Sequence, residues 1–324
     1  MALFSGLFNT KQGLPVLNVT MLGPGGVGKT SLLAAIYDQF YNVSQDLELV
    51  PDEETKKILD QRLKQLKSLV GDSIRVRGGV ESTNEPRSFK FEFGQTGTNP
   101  SLKINFQDYP GEWLEQGGKL EKVKEFIRDS AAVLIPIDTP ALMELEGKYH
   151  KEFNKPTELS HLFKEVYKNL DSPRLIILAP VKCEKYMDME NLPELFRKVR
   201  EGYQEILTEL PDGKLLPKVA VVITPIQTIG SVRFSRIEFK NNQPIFYFRK
   251  SQPSDPYQPK NTELPLRYLL SFLLKLHLDK RRDFFLTRIM DSFGRNTDLR
   301  NAVSRFSDVK SNSDEIVQGL DLFI

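Results

Sequence analysis

Apolar residues along the first two thirds of the chain alternate between two rhythms, a strand-like one and a helix-like one. The stretch "VLNVTML" at 16–22 is rich in β-formers and stops at Gly23, and from Thr30 the apolar positions Leu32, Leu33, Ile36, Tyr37 and Phe40 recur at helical spacing. "PDEETKKILDQRLKQLKSLVG" predicts a second helix: acids crowd its start, Ile58, Leu59, Leu63, Leu66 and Val70 form one face, and Gly71 ends it. "SFKFEFG" and "SLKINFQD" alternate apolar and polar residues around the turn-rich "GQTGTNP" and predict a hairpin. "AAVLIPID", "RLIILAPVK" and "KVAVVITPI" are short apolar runs, the mark of strands covered on both faces. Helical stretches at 119–129, 158–169 and 192–210 separate them.

After Gly230 the alternating "SVRFSRIEF" and "PIFYFRK" appear, then a Pro-rich segment, a helical pattern over 266–293 and a polar tail. The pattern predicts an α/β fold with a mixed, mostly parallel sheet flanked by helices. It divides into an N-terminal extension at 1–14, a main domain at 15–230 and a smaller C-terminal α/β extension at 231–324.

"GPGGVGKT", Gly23 to Thr30, satisfies G-x-x-x-x-G-K-[ST] between a strand and a helix. Glycines let successive amides turn inward, forming an anion nest at a helix N-terminus. The expected phosphate-binding set is Gly23, Gly25, Gly26, Val27, Gly28, Lys29, Thr30 and Ser31. Lys29 would reach the β- and γ-phosphate oxygens, and the Thr30 hydroxyl would ligate Mg²⁺. The bland reading of the bare pattern is a Gly-rich turn, but here strand, loop and helix come in the required order.

"INFQDYPGEW" then places Asp108 at a strand end, where an acid holds Mg²⁺ directly or through water. Three residues on, Gly111 can bring its amide to a γ-phosphate with no side chain intervening. A plain β-turn also fits "DYPG", so it is the preceding loop that favours the functional reading.

With both motifs in hand, the sequence resembles the P-loop GTPases of the translation-factor-related class. The resemblance implies a switch threonine before the strand that precedes Asp108; Thr83 stands there, with Ser82 the near alternative. It also implies that Glu112, directly after Gly111, sits where relatives orient the attacking water, a solvated loop acid being the alternative. The catalytic set is therefore Lys29, Thr83, Gly111 and Glu112, and the metal set Thr30, Thr83 and Asp108. Arg75, Arg77 and Arg87 flank the region, and none of them is marked as an arginine finger.

Guanine specificity in this class rests on N-K-x-D after a buried strand. Here "VKCE" puts Lys182 and Glu184 in register, with Val181 in place of the asparagine and an acid one methylene longer. Glu184 can accept both guanine donors, whereas adenine presents an acceptor at N1; the alternative for "VKCE" is a plain charged loop after a strand. The last base-contacting loop falls on "TPIQT", beginning at Thr224. That stretch, "VKCE" and "PLRYLLSFLL" resemble the bacterial double-GTPase families of predicted conflict systems. The resemblance implies a GTP- and Mg²⁺-dependent switch, with a companion GTPase or effector as partner, in defence against phage or other invaders. Its rivals are a nucleotide-binding scaffold that hydrolyses nothing, and an ATPase.

Composition trims the alternatives. The 324 residues carry a formal net charge of +2 at pH 7, which points to no nucleic-acid partner. One cysteine, Cys183, excludes an intrachain disulfide and fits a reducing cytoplasm, the expected location. No run approaches the roughly 18 apolar residues of a membrane span. The helix from Leu266 carries the basic cluster Lys280, Arg281 and Arg282; docking on the domain is the leading expectation, ahead of partner or membrane contact. His150, His161 and His277 stand apart, without metal-ligand spacing.

Overall fold

Ten strands and ten α-helices are seen in a computed structural model that describes residues 13–68, 85–114, 117–209, 218–250, 252, 254–279, 291, 296–308 and 311–324. In chain order they are β1 (Val16–Met21), α1 (Lys29–Val43), β2 (Leu47–Pro51), α2 (Glu53–Ser68), β3 (Arg87–Gln95) and β4 (Leu102–Asp108). Then come α3 (Gly117–Arg128), β5 (Ala132–Asp138), α4 (Thr139–Met143), α5 (His150–Asn154), α6 (Pro156–Val166) and β6 (Arg174–Val181). The remainder are α7 (Leu192–Gly202), α8 (Gln204–Glu209), β7 (Val219–Ile223), β8 (Val232–Lys240), β9 (Gln243–Lys250), α9 (Leu264–Leu278), α10 (Thr297–Ser307) and β10 (Glu315–Gln318).

Eight strands form one sheet in the order β10-β7-β6-β5-β1-β4-β3-β2. Five of its strands, β7, β6, β5, β1 and β4, are parallel neighbours; β10 and β3 run against them, and the edge strand β2 pairs antiparallel with β3. Every residue of β5, β6 and β7 is buried, because helices cover both faces. The period of two then sorts side chains between two cores. Ala132 and Leu134 join Leu175, Ile177, Ala220 and Val222 beneath α1, α2, α9 and α10. Val133, Ile135 and Ile137 join Ile176, Val221 and Ile223 beneath α3, α6 and α7.

Residues beyond 230 pack onto this sheet. β10 pairs with β7, and α9 buries Leu266, Leu269, Leu270, Leu273 and Leu274 in the first core. The basic cluster that follows α9 lies outside the described residues. β8 and β9 make a separate antiparallel ribbon, seated through Phe246 on Tyr149 and Phe153.

Two local expectations need correction. β2 was not anticipated; it is an edge strand ending in Pro51, a residue tolerated there because its missing N–H faces no neighbour. The helix expected at 192–210 breaks at Tyr203 into α7 and α8. The break follows Gly202, a weak helix former whose carbonyl accepts the His150 Nε2–H at 3.1 Å.

Candidate nucleotide-binding site

Parallel strands carry their following loops out at one edge, the carboxyl ends, and ligands of open α/β sheets bind there. β1 ends before the Gly-rich loop, β4 ends at Asp108, β5 at Asp138, β6 just before Lys182 and β7 just before Thr224. Segments spread over two hundred residues of sequence are thereby gathered along one rim.

The Gly-rich loop spans the gap from β1 to α1, with Gly26 at φ 76° and Gly28 at φ 116°, both in the left-handed region. Gly25 and Gly26 are exposed, Ser31 is half-buried, and Val27 is buried behind the loop. The Lys29 ammonium is 7% exposed and donates to the Gly23 carbonyl at 2.8 Å and the Pro24 carbonyl at 3.3 Å. It also lies 3.6 Å from Asp108 Oδ1.

β1 and β4 pair with Met21 beside Asp108, which sets that carboxylate under the loop. Thr30 Oγ1 donates to Asp108 Oδ2 at 3.3 Å, while buried Oδ1 accepts no hydrogen bond. Burial pushes the Asp108 carboxyl up and the Lys29 ammonium down, each opposed by the other's charge. A hydroxyl oxygen beside a carboxylate with a spare lone pair is a donor set that suits a hard divalent cation, so the residues present fit Mg²⁺. Arg87, opposite Asp108 in the β3–β4 pairing, adds positive charge nearby.

Gly111 begins a single 3-10 turn, Gly111–Leu114, that leans on the Gly-rich loop. A Cβ at this position would lie 1.9 Å from the Gly25 nitrogen and 2.3 Å from the Pro24 carbonyl carbon, so backbone meets backbone and only glycine fits. Glu112 follows on the exposed side of the turn. Thr83, with Ser82, Arg75 and Arg77, lies outside the described residues.

At the neighbouring strand end, Lys182 Nζ donates to Asp138 Oδ2 at 2.5 Å and approaches the Gly26 carbonyl at 3.5 Å. Glu184 is only 4% exposed. Its Oε1 accepts the Ile229 and Gly230 amides, each at 3.3 Å, and its buried Oε2 accepts nothing. Burial raises its carboxyl above the usual carboxylate range. Glu184 thus ties the rim to the root of the β8–β9 ribbon, a link that its place in "VKCE" does not disclose. Thr224 is fully buried, its amide on the Leu178 carbonyl at 2.8 Å and its hydroxyl without a partner. Cys183 is buried as a small apolar residue.

Sequence reasoning passed over Asp138 and the residues behind it. Asn154 brackets the Asp138 backbone: its Oδ1 accepts the Asp138 N–H at 2.7 Å and its Nδ2 donates to the Asp138 carbonyl at 3.1 Å. The same Nδ2 lies 3.0 Å from His150 Nδ1. Burial lowers the His150 pKa below its ordinary 6.5. The unfolded chain therefore takes a proton where the folded one does not, and stability should fall as pH drops below about 6.5. Thermal melts from neutral pH down to about pH 5 should show this loss, and His150→Gln should flatten it.

The sequence model of the family described as Double-GTPase 2 matches residues 18–219, more than half of the chain. The chain belongs to that family. The expected double-GTPase membership is borne out, and the eight-stranded, mostly parallel sheet is the fold expected from it. Among curated proteins no relative matches. Solved structures similar to this family member include the GTP-bound GTPase-like domain of Ski7 from S. cerevisiae, at 13% identity and TM-score 0.41, covering 65% of this chain and 43% of that one. Another is the signal recognition particle receptor complex SRb-GTP/SRX from Chaetomium thermophilum, at 20% identity and TM-score 0.37, covering 68% and 93%. A third, Sup35 complexed with GDP, has 12% identity and TM-score 0.32, covering 70% and 40%. The chain thus spans less than half the length of the Ski7 and Sup35 chains. Among the described residues no helix is long and apolar enough to cross a membrane.

Proposed function

We propose that this Double-GTPase 2 chain binds GTP with Mg²⁺ along the carboxyl rim of its sheet and hydrolyses it to GDP and phosphate as a molecular switch. One observation carries the reading: the anion nest, the Thr30–Asp108 pair and the Gly111 turn meet at a single point. Amides of 25–30 and the Lys29 ammonium hold the phosphate chain. Thr30 and Asp108 would hold the metal, which when bound supplies charge neutralisation at the phosphate oxygens. The Gly111 amide hydrogen-bonds the γ-phosphate. Glu112 orients a water whose oxygen attacks the γ-phosphorus as the bond to the bridging β–γ oxygen breaks. Unassisted turnover in such switches is on the order of 10⁻⁴ to 10⁻² s⁻¹. From the resemblance of its motifs to conflict-system families, we further propose that the switch acts on a companion GTPase or an effector in a cytoplasmic defence response.

Single-turnover phosphate release from GTP, compared with a Lys29→Ala control, tests the hydrolysis. Release no faster than the control would leave a nucleotide-binding scaffold in its place. The base reading rests on Glu184, whose spare Oε2 is an acceptor facing no donor of its own chain. Glu184→Gln keeps an acceptor for the 229 and 230 amides but sets an N–H₂ where guanine presents donors. The preference for GTP over ATP should therefore fall by roughly tenfold or more, with little change in melting temperature. Equal affinities of the wild-type chain for GTP and ATP would remove the guanine assignment.

A further inference from the structure

Lys182 is one of the few non-glycine residues held at positive φ, 57°, a conformation that L side chains adopt only when their surroundings impose it. Its ammonium lies at the nucleotide rim, 3.5 Å from the Gly26 carbonyl, and its strongest partner is Asp138 Oδ2 at 2.5 Å. Asp138 is itself immobilised. Its Oδ1 accepts the Ala141 amide at 3.1 Å as the cap of α4, and Asn154 closes both of its backbone groups. Asn154 is 1% exposed, and its amide orientation is dictated from behind. A carbonyl can only accept, so the His150 nitrogen facing Gly202 O carries the proton, and Nδ1 is left as acceptor for the Asn154 amide nitrogen. His150, Asn154, Asp138 and Lys182 thus form one hydrogen-bonded line, passing through the Asp138 backbone and ending at the Gly-rich loop.

We propose that Asp138 and Asn154 are positioning residues of the nucleotide site, holding the Lys182 side chain against the loop. The proposal rests on the nucleotide reading above. Without the Asp138 charge, the Lys182 ammonium, a quarter exposed already, turns to solvent and its stem leaves the loop. Because Lys182 meets the loop at the Gly26 carbonyl, whereas Gly111 meets it at Pro24 and Gly25, the loss should fall equally on diphosphate and triphosphate. A residue that merely stabilises the fold would instead lower melting temperature and act independently of Lys182.

The test is a double-mutant cycle on the full chain, titrated with GDP and with a non-hydrolysable GTP analogue. Asp138→Asn keeps the shape and the α4 cap, and should weaken both nucleotides by roughly tenfold. On a Lys182→Met background the same change should cost less than about twofold, since its target is gone. Asn154→Ser should follow the same pattern while lowering the melting temperature on both backgrounds. Full additivity of either substitution with Lys182→Met, or unchanged affinity of Asp138→Asn, would overturn the positioning role. A wild-type chain that binds neither nucleotide would overturn the nucleotide reading, and this proposal with it.

Discussion

Alanine at position 29 should weaken GTP and GDP binding by at least about a hundredfold, close to 3 kcal/mol, and leave phosphate release at background. The ammonium is held by the Gly23 and Pro24 carbonyls and lies beside Asp108, so it is oriented before any ligand arrives. Phosphate oxygens replace neutral carbonyls with charged acceptors at a site shielded from water, and each such bond is about twice as strong as its neutral counterpart. The fold should survive the loss. Asp108 keeps the Thr30 hydroxyl as a donor and the Arg87 charge nearby, so its buried carboxyl is not left without a partner. Calorimetric titration with each nucleotide, paired with a thermal melt, separates the two effects. A variant that melts normally and still binds within tenfold of wild type would remove Lys29 from the phosphate site.

Gly111→Ala should be nearly as damaging, and to a different step. The added methyl would sit 1.9 Å from the Gly25 nitrogen and 2.7 Å from Pro24 Cα. Both are backbone atoms, so no rotamer change relieves the overlap, and the turn must retreat by about 1 Å or more. A displacement of that size at a reacting centre costs on the order of a hundredfold in rate. Phosphate release should therefore fall by about two orders of magnitude, whereas GDP, which offers the turn no γ-phosphate, should bind within a few-fold of wild type. The ratio of triphosphate-analogue to GDP affinity is the sharpest readout. If that ratio and the single-turnover rate both stay unchanged, Gly111 is no γ-phosphate contact.

Features that depend on a short stretch of chain were legible beforehand, and those made by distant partners were not. β5, β6 and β7 announce themselves because burial on both faces leaves no polar position to interrupt them. The Gly23–Thr30 loop and Asp108 are legible because an anion nest and a strand-end acid are local constructions. β2 is five residues at a sheet edge, almost flush with α2, and its acidic and proline residues read as the prelude to that helix. The split between α7 and α8 turns on a histidine about fifty positions upstream, and no helical periodicity contains it. Glu184 could be placed in register from its spacing, yet its burial against 229 and 230 needed the fold. Asp138 was visible as the last letter of an apolar run, but its charge acquires a purpose only once β5 and β6 lie side by side.

The outermost strand bears on how the molecule is made. β10 closes the free flank of β7 through Glu315–Ile223 and Ile316–Val222 pairing, with the Gln318 amide on the Val219 carbonyl at 3.0 Å. A ribosome therefore finishes the nucleotide rim long before the sheet is sealed. At typical synthesis speeds, on the order of ten seconds pass between the emergence of β7 and that of its partner. During that interval "VAVVI" presents an unpaired apolar edge, the kind of surface that recruits another nascent chain or a chaperone.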